Sequence, residues 1–191
     1  VDNILFFDTE TTGLPKGGHD PRIIQLAALL CSSDGLEIAQ LNLITIPSGA
    51  WVMQPDAQAV HGKSEAFVRS RGIPIRMALD RFHAMVDQVG TVVAHNLPFD
   101  YQRYVRELDG GPDHILPKNR VCTMQAATPI CQLPPTEKMI KWGRGNQHKS
   151  PNLTEAHQFF YVHGFDGAHD ALADVRACRD VYFALKERGA L

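Results

Sequence analysis

Hydrophobic positions along the chain fall into short blocks whose period changes from strand-like to helical. Ile4-Leu5-Phe6-Phe7 is a continuous apolar run leading into Asp8-Thr9-Glu10-Thr11-Thr12-Gly13-Leu14. Such a run, bounded by a turn signal, predicts a strand buried on both faces. Ile23 to Leu30 predicts a second strand and Ile38 to Ile46 a third, with Asp34-Gly35 as the hairpin turn between them. Pro15 to Pro21 reads as a loop by its glycines and prolines. Three strands on short connections predict an antiparallel meander.

From Pro55 the period turns helical. Ser64 is placed to cap Glu65 to Arg71, and Pro74 to open a helix reaching about Val89, with Ile75, Leu79, Phe82 and Val86 on one stripe. Thr91 to His95 reads as a short buried strand. Asn96 then caps a helix with Pro98 in its first turn and Tyr101, Tyr104, Val105 and Leu108 on one face. Arg120 to Thr123 is the fifth strand. Residues 129–151, rich in proline and carrying Lys138, Lys141, Arg144, His148 and Lys149, read as a long irregular surface excursion. Leu153 to Val162 and Ala171 to Arg188 close the chain as helices. The expected architecture is one α/β domain over residues 1–191: a mixed five-stranded sheet, the meander plus parallel strands, flanked by helices.

Composition narrows the class further. With 44% hydrophobic and 21% charged residues, the chain can bury a full core, and disorder, collagen and coiled coil are excluded. The longest apolar run, Ile23 to Cys31, is broken by Gln25 and too short to span a bilayer, so no membrane partner is expected. Cys31, Cys122, Cys131 and Cys178 form no CxxC pair, which predicts free buried thiols in a reducing, cytoplasmic compartment. No secretory leader is recognisable, and the missing initiator methionine leads us to expect flanking sequence. A net charge of −2 does not itself predict a nucleic-acid partner, but the charges are unevenly spread.

The candidate chemistry begins on the first strand. Period-two alternation sends Asp8 and Glu10 to the same side, and two carboxylates held together repel unless a cation lies between them. D-x-E arises by chance in roughly half of chains this long; its place at the end of a buried strand gives it weight. Asp100 falls in the first turn of a helix, where the dipole favours an anion bound for a site or one serving only its helix. Asp174 heads the stripe Cys178, Val181, Leu185, an acid at the core edge in need of a partner, whereas Asp170 and Asp180 fall off that stripe and read as surface charge. His169 lies in the loop entering this helix. Histidine as a residue type titrates near neutrality, so beside a metal-held water it becomes a candidate general base. His157 and His163 read as surface or packing residues.

The order FFDTETTGL, HNLPFD, HDALAD resembles the three motifs of the DEDDh 3′–5′ exonucleases, which have a ribonuclease H-like fold and include proofreading subunits of DNA polymerases, ribonuclease T and oligoribonuclease. The resemblance runs from about Ile4 to Leu185. It implies Asp8, Glu10, Asp100 and Asp174 as the four acids and His169 as the base. It implies two Mg2+ or Mn2+ ions about 3.5–4 Å apart, with Asp8 bridging them, Glu10 and Asp174 completing one, and Asp100 acting partly through water. The implied product is a nucleoside 5′-monophosphate released from the 3′ end. Nucleic acid is the implied partner, DNA favoured over RNA, with a polymerase as a candidate associate in proofreading. Val60-His61-Gly62 resembles the family's substrate-contacting segment, and Asn152-Leu153 the start of its penultimate helix. Thr11, Thr12, Leu14, Asn96 and Phe99 are further candidate substrate contacts.

Several readings stay open on the sequence. Leu14 is either an apolar wedge beside the terminal base or a core leucine, and Phe99 either stacks on a base or packs the core. Lys141, Arg144 and Lys149 either bind phosphates or form a solvated face. Lys63 stands where the family usually carries an apolar residue after His-Gly. An exoribonuclease would share this pattern. A non-catalytic binding module predicts a missing acid or histidine, yet all five residues are present.

Overall fold

A computed structural model of the chain describes residues 3–108 and 116–191. The predicted meander forms from β1 (Ile4–Thr11), β2 (Ile23–Cys31) and β3 (Glu37–Ile46), each antiparallel to the next. Gly35 turns the β2–β3 hairpin at a φ of 92°, a conformation open to a residue without Cβ. Next come α1 (Pro55–His61) and α2 (Glu65–Arg71), the latter capped by the Ser64 hydroxyl accepting from Phe67 N–H. A two-residue strand, β4 (Ile73–Pro74), pairs parallel with the far end of β3. The sheet therefore has six strands, not five: Pro74 belongs to this edge, where a missing N–H costs little, and then caps α3 (Ile75–Val86).

The second half supplies β5 (Thr91–Ala94), α4 (Leu97–Glu107), β6 (Asn119–Cys122), α5 (Thr123–Cys131), α6 (Glu137–Lys141), α7 (Leu153–Tyr161) and α8 (Ala171–Glu187). Strand order is β4-β3-β2-β1-β5-β6, with β1, β5 and β6 mutually parallel. The carboxyl ends of those three strands thus lie at one edge of the sheet, where α4 and α5 begin.

Sheet alternation divides the core. Leu5 and Phe7 pack with Leu79, Phe82 and Tyr104 of α3 and α4, while Ile4 and Phe6 pack with Val175, Cys178 and Tyr182 of α8. The four cysteines are free and buried. On α4, Tyr104 and Leu108 are buried as predicted but Val105 is exposed, one step off the apolar stripe. A buried ion pair closes the α4 end of the sheet: Arg22 donates Nε–H and Nη2–H to both Glu107 oxygens, at 2.9 and 2.7 Å. Paired this way, neither charge is left uncompensated in the interior.

The excursion is less irregular than its composition suggests. Its first residues complete α5, which carries Pro129 inside it, and Thr136 caps the short α6 by accepting from Met139 N–H. A bridge between Leu133 and Lys149 draws its two limbs together. Among the described residues no helix is long and apolar enough to cross a membrane.

Candidate active site

The alternation that divides the core also aims the acids. Asp8 and Glu10 follow Phe6 onto the α8 face of β1, where Asp174 stands in the first turn of α8. Thr9 points the other way, towards α4. Its hydroxyl donates to Asp100 Oδ1 at 2.7 Å and its backbone N–H to the same oxygen at 3.1 Å. Asp100 is thereby fixed at the carboxyl end of β1, within electrostatic reach of Asp8 and Asp174. Residue type alone does not mark Thr9 as part of the site. Its position does carry a signal: it lies between two acids on the opposite face of the same strand.

A register shift between β1 and β2 falls between Glu10 and Thr11, so the strand bends where the acids are presented. Beyond it, Gly13 is required by close approach, since a Cβ there would meet Gln54 at 2.6 Å and the His19 ring at 2.9 Å.

Four carboxyls crowded at low solvent exposure resist ionisation. Burial, then the charges of Asp100, Asp174, Glu10 and Asp170, hold Asp8 well above the usual carboxylate range. Burial first, with Asp174 adding to it, pushes Glu10 up to about 8. Burial raises Asp100 to about 7 against the Thr9 hydrogen bonds, and Asp174 to about 6 against the His169 amide. Such a cluster needs positive charge at neutral pH. An all-carboxylate oxygen set fits a hard divalent cation of the Mg2+ or Mn2+ type.

His169 occupies the loop before α8, as expected, at a φ of 70° that is uncommon for a residue with a side chain. Its backbone N–H donates to Asp174 Oδ2 at 3.1 Å, and its exposed ring shares one space with Glu10 and Asp174, the three ligand atoms all within 4.8 Å of one another. Asp170 is not the plain surface charge its place off the stripe predicts. It is the N-cap of α8, accepting from Leu172 N–H at 3.2 Å, and it also accepts from Gln25 Nε2 at 3.1 Å. Gln25 lies directly opposite Glu10 across the β1–β2 ladder, so the cap is tied to the acid strand. An aspartate immediately before an apolar-periodic run was the available signal. Asp180, half-exposed, pairs with Arg179 at 2.8 Å, and His157 is buried beside Tyr161, a packing residue.

An open cavity of about 930 Å³ adjoins the acids, walled by Glu10, Thr11, Leu14, Val60, His61 and Phe99 among others. Leu14 is 66% exposed, which removes the core-leucine reading, and Val60 is 54% exposed beside it. Phe99 is half-buried, with the Arg103 guanidinium 5.6 Å from its ring centre. His61 is buried. Lys63 N–H donates to its Nδ1 at 3.0 Å, and burial, then the Lys63 charge, depresses its pKa, both of which favour the neutral ring.

Two candidate contacts change. The Thr12 amide already donates to Arg22 carbonyl at 2.9 Å and its hydroxyl accepts from Arg22 N–H at 3.0 Å, so Thr12 shapes the turn and has no amide to offer a ligand. Asn96 occupies the cap position of α4 but in a left-handed conformation, its side chain exposed and making no cap hydrogen bond. In the excursion, Lys149 is paired with Glu155, whereas Lys141 and Arg144 are exposed. Lys138 and Arg144 lie over the exposed Trp142 ring, at 4.5 and 5.3 Å from its centre.

A family model described as Exonuclease, RNase_T, matches residues 5–182. No curated protein matches the chain. Among solved structures, Exonuclease I of E. coli in complex with a 5cy-dA13 oligonucleotide is 20% identical with a TM-score of 0.65, over 98% of this chain and 41% of that one. Exonuclease I of Methylocaldum szegediense is 22% identical with a TM-score of 0.69, again over 98% of this chain and 41% of that one. At this identity the likeness is one of fold, and the chain spans about two fifths of the length of those structures.

Proposed function

The chain belongs to the Exonuclease, or RNase_T, family, and from that premise we propose that it hydrolyses phosphodiester bonds of DNA from the 3′ end, at single-stranded or frayed termini, releasing nucleoside 5′-monophosphates. One observation carries the reading: four mutually repelling carboxyls and a histidine converge, and one of them, Glu10, also lines the adjoining open cavity of about 930 Å³. The oligonucleotide bound to the E. coli relative favours DNA as the substrate.

Asp8, Glu10 and Asp174 would hold divalent cations, with Asp100 assisting through water. Bound cations of this kind supply charge that stabilises the attacking and leaving oxygens of an in-line displacement. The remaining work falls to the chain itself. Thr9 keeps Asp100 aimed into the cluster through two hydrogen bonds to one oxygen. A His169 ring nitrogen takes the proton of the attacking water, and the backbone amide contact to Asp174 anchors the main chain from which the ring projects. Leu14, Val60 and Phe99 offer apolar surface to the terminal base, and buried His61 borders the sugar and phosphate.

The reading is tested with DNA and RNA oligomers labelled at the 5′ end, incubated with Mg2+, with an Asp8→Ala control. The expected result is a DNA ladder shortening from the 3′ end that the control lacks. Failure to shorten either polymer overturns the activity, and shortening of RNA alone overturns the substrate.

Lys141 and Arg144 are proposed to bind the phosphate backbone upstream of the cut. Replacing both by Ala should weaken binding of single-stranded DNA and reduce the slope of log affinity against log salt by up to about 1.4, at about 0.7 for each phosphate that is no longer neutralised. Fluorescence anisotropy over a salt series measures this, and an unchanged slope returns the excursion to a solvated face.

A further inference from the structure

Lys63 departs from the family pattern, and its surroundings give that departure a use. Its side chain is only 12% exposed, although it lies in the short connection between α1 and α2. The ammonium donates to the His61 carbonyl at 3.2 Å and stands 3.7 Å from Asp170 Oδ2. That same Asp170 oxygen is held by Gln25, the cross-strand neighbour of Glu10. The charge is therefore anchored from two elements and set against the Glu10 and Asp174 side of the cluster. Asp170 lies one helical turn before Asp174, whose N–H donates to the Asp170 carbonyl at 3.0 Å, so the ammonium sits against the backbone turn that carries that ligand.

A lysine stem is flexible and strongly hydrated at its head, so burying most of it needs a compensating field. Here the field comes from the carboxylates, nearest of all Asp170, which caps α8 one turn before Asp174. We propose that Lys63 is a built-in cation of this site, pinning the start of α8 through Asp170 and weakening the hold of Glu10 and Asp174 on a divalent ion. This rests on the metal-dependent reading given above. A site that already contains one fixed positive charge binds its divalent ion less tightly by Coulomb repulsion. The ion then depends more on the phosphate oxygens of the substrate to complete its surroundings.

The test is isothermal titration of the nucleic-acid-free protein with Mn2+. Lys63→Met keeps the apolar stem and removes the charge, and is expected to bind Mn2+ about tenfold tighter than the unchanged protein. Lys63→Arg should restore the weaker binding. With the proposed product, a deoxynucleoside 5′-monophosphate, present in place of cleavable DNA, the Met variant should lose most of its advantage, because phosphate supplies the missing ligands in both. Equal or weaker Mn2+ binding by the Met variant, with its melting curve still cooperative, overturns the inference. If Lys63→Met does not fold, Lys63→Gln is read in its place by the same criterion. Absence of Mn2+ binding in the unchanged protein overturns the metal site itself, an outcome separate from failure of the Lys63 role alone.

Discussion

Asp8→Asn is expected to make the metal-free protein more stable at pH 8 while abolishing hydrolysis. Burial and the neighbouring acids raise the Asp8 carboxyl well above its ordinary value, so ionising it costs the folded chain more than the unfolded one. The sign follows from proton counts. A carboxyl raised on folding binds more protons in the native state, so stability falls as pH rises from the unfolded value near 4 towards the folded one. Glu10 at about 8, Asp100 at about 7 and Asp174 at about 6 place the decline between about pH 4 and pH 8. Removing the innermost charge relieves part of it, which raises Tm by a few degrees in a chain of this size. Thermal unfolding in a chelator measures it. The gap between variant and parent should narrow as pH falls towards 4. Adding Mg2+ should reverse the order, because the parent then gains more from cation binding than a variant that lacks one of the ligands. Turnover of Asp8→Asn should fall by about a thousandfold or more, the loss expected when charge stabilisation of both reacting oxygens is removed. A metal-free Asp8→Asn protein that melts lower than the parent at pH 8 would mean that the carboxyls do not repel as their placement implies.

His169→Ala is expected to lower kcat by about 10²- to 10⁴-fold, the usual contribution of a positioned base. It should leave Mn2+ affinity within a few-fold. The distinction matters because the ring shares its space with Glu10 and Asp174, close enough for a nitrogen to serve as a ligand as well as a base. Calorimetry separates the two roles: a large loss of Mn2+ affinity assigns His169 to the cation. Asp174 would keep its place at the head of α8 but lose the constraint of the ring beside it, while the backbone hydrogen bond from residue 169 can persist in Ala.

Most of the architecture followed from local pattern. The apolar run of β1, the alternation and turn of the β2–β3 hairpin, and the 3.6-residue period of α3 and α8 each carry their signal within a few residues. β4 had no such signal, because two residues hold no period and their pairing is set by where β3 ends. The first residues of the excursion became helix because α5 packs Ala127 and Cys131 against Val181 and Leu185, which overrides the local preference of Pro129. Val105 missed the core by a single step of rotation on α4.

The site divides in the same way. The residue types and order of Asp8, Glu10, Asp100, His169 and Asp174 could be read from the chain, as could the shared side of Asp8 and Glu10, since strand alternation is a local property. Their convergence could not: it depends on β5 lying parallel to β1 and on α8 packing across the face that bears the even-numbered residues of β1. Tertiary structure alone decided the hidden members of the site. Thr9 grips Asp100 from 91 residues away, and Gln25 and Lys63 meet at Asp170 from separate elements. Hydrogen bonds and charges of that kind are set by distances between segments far apart in the chain, and a one-dimensional pattern contains no such distance.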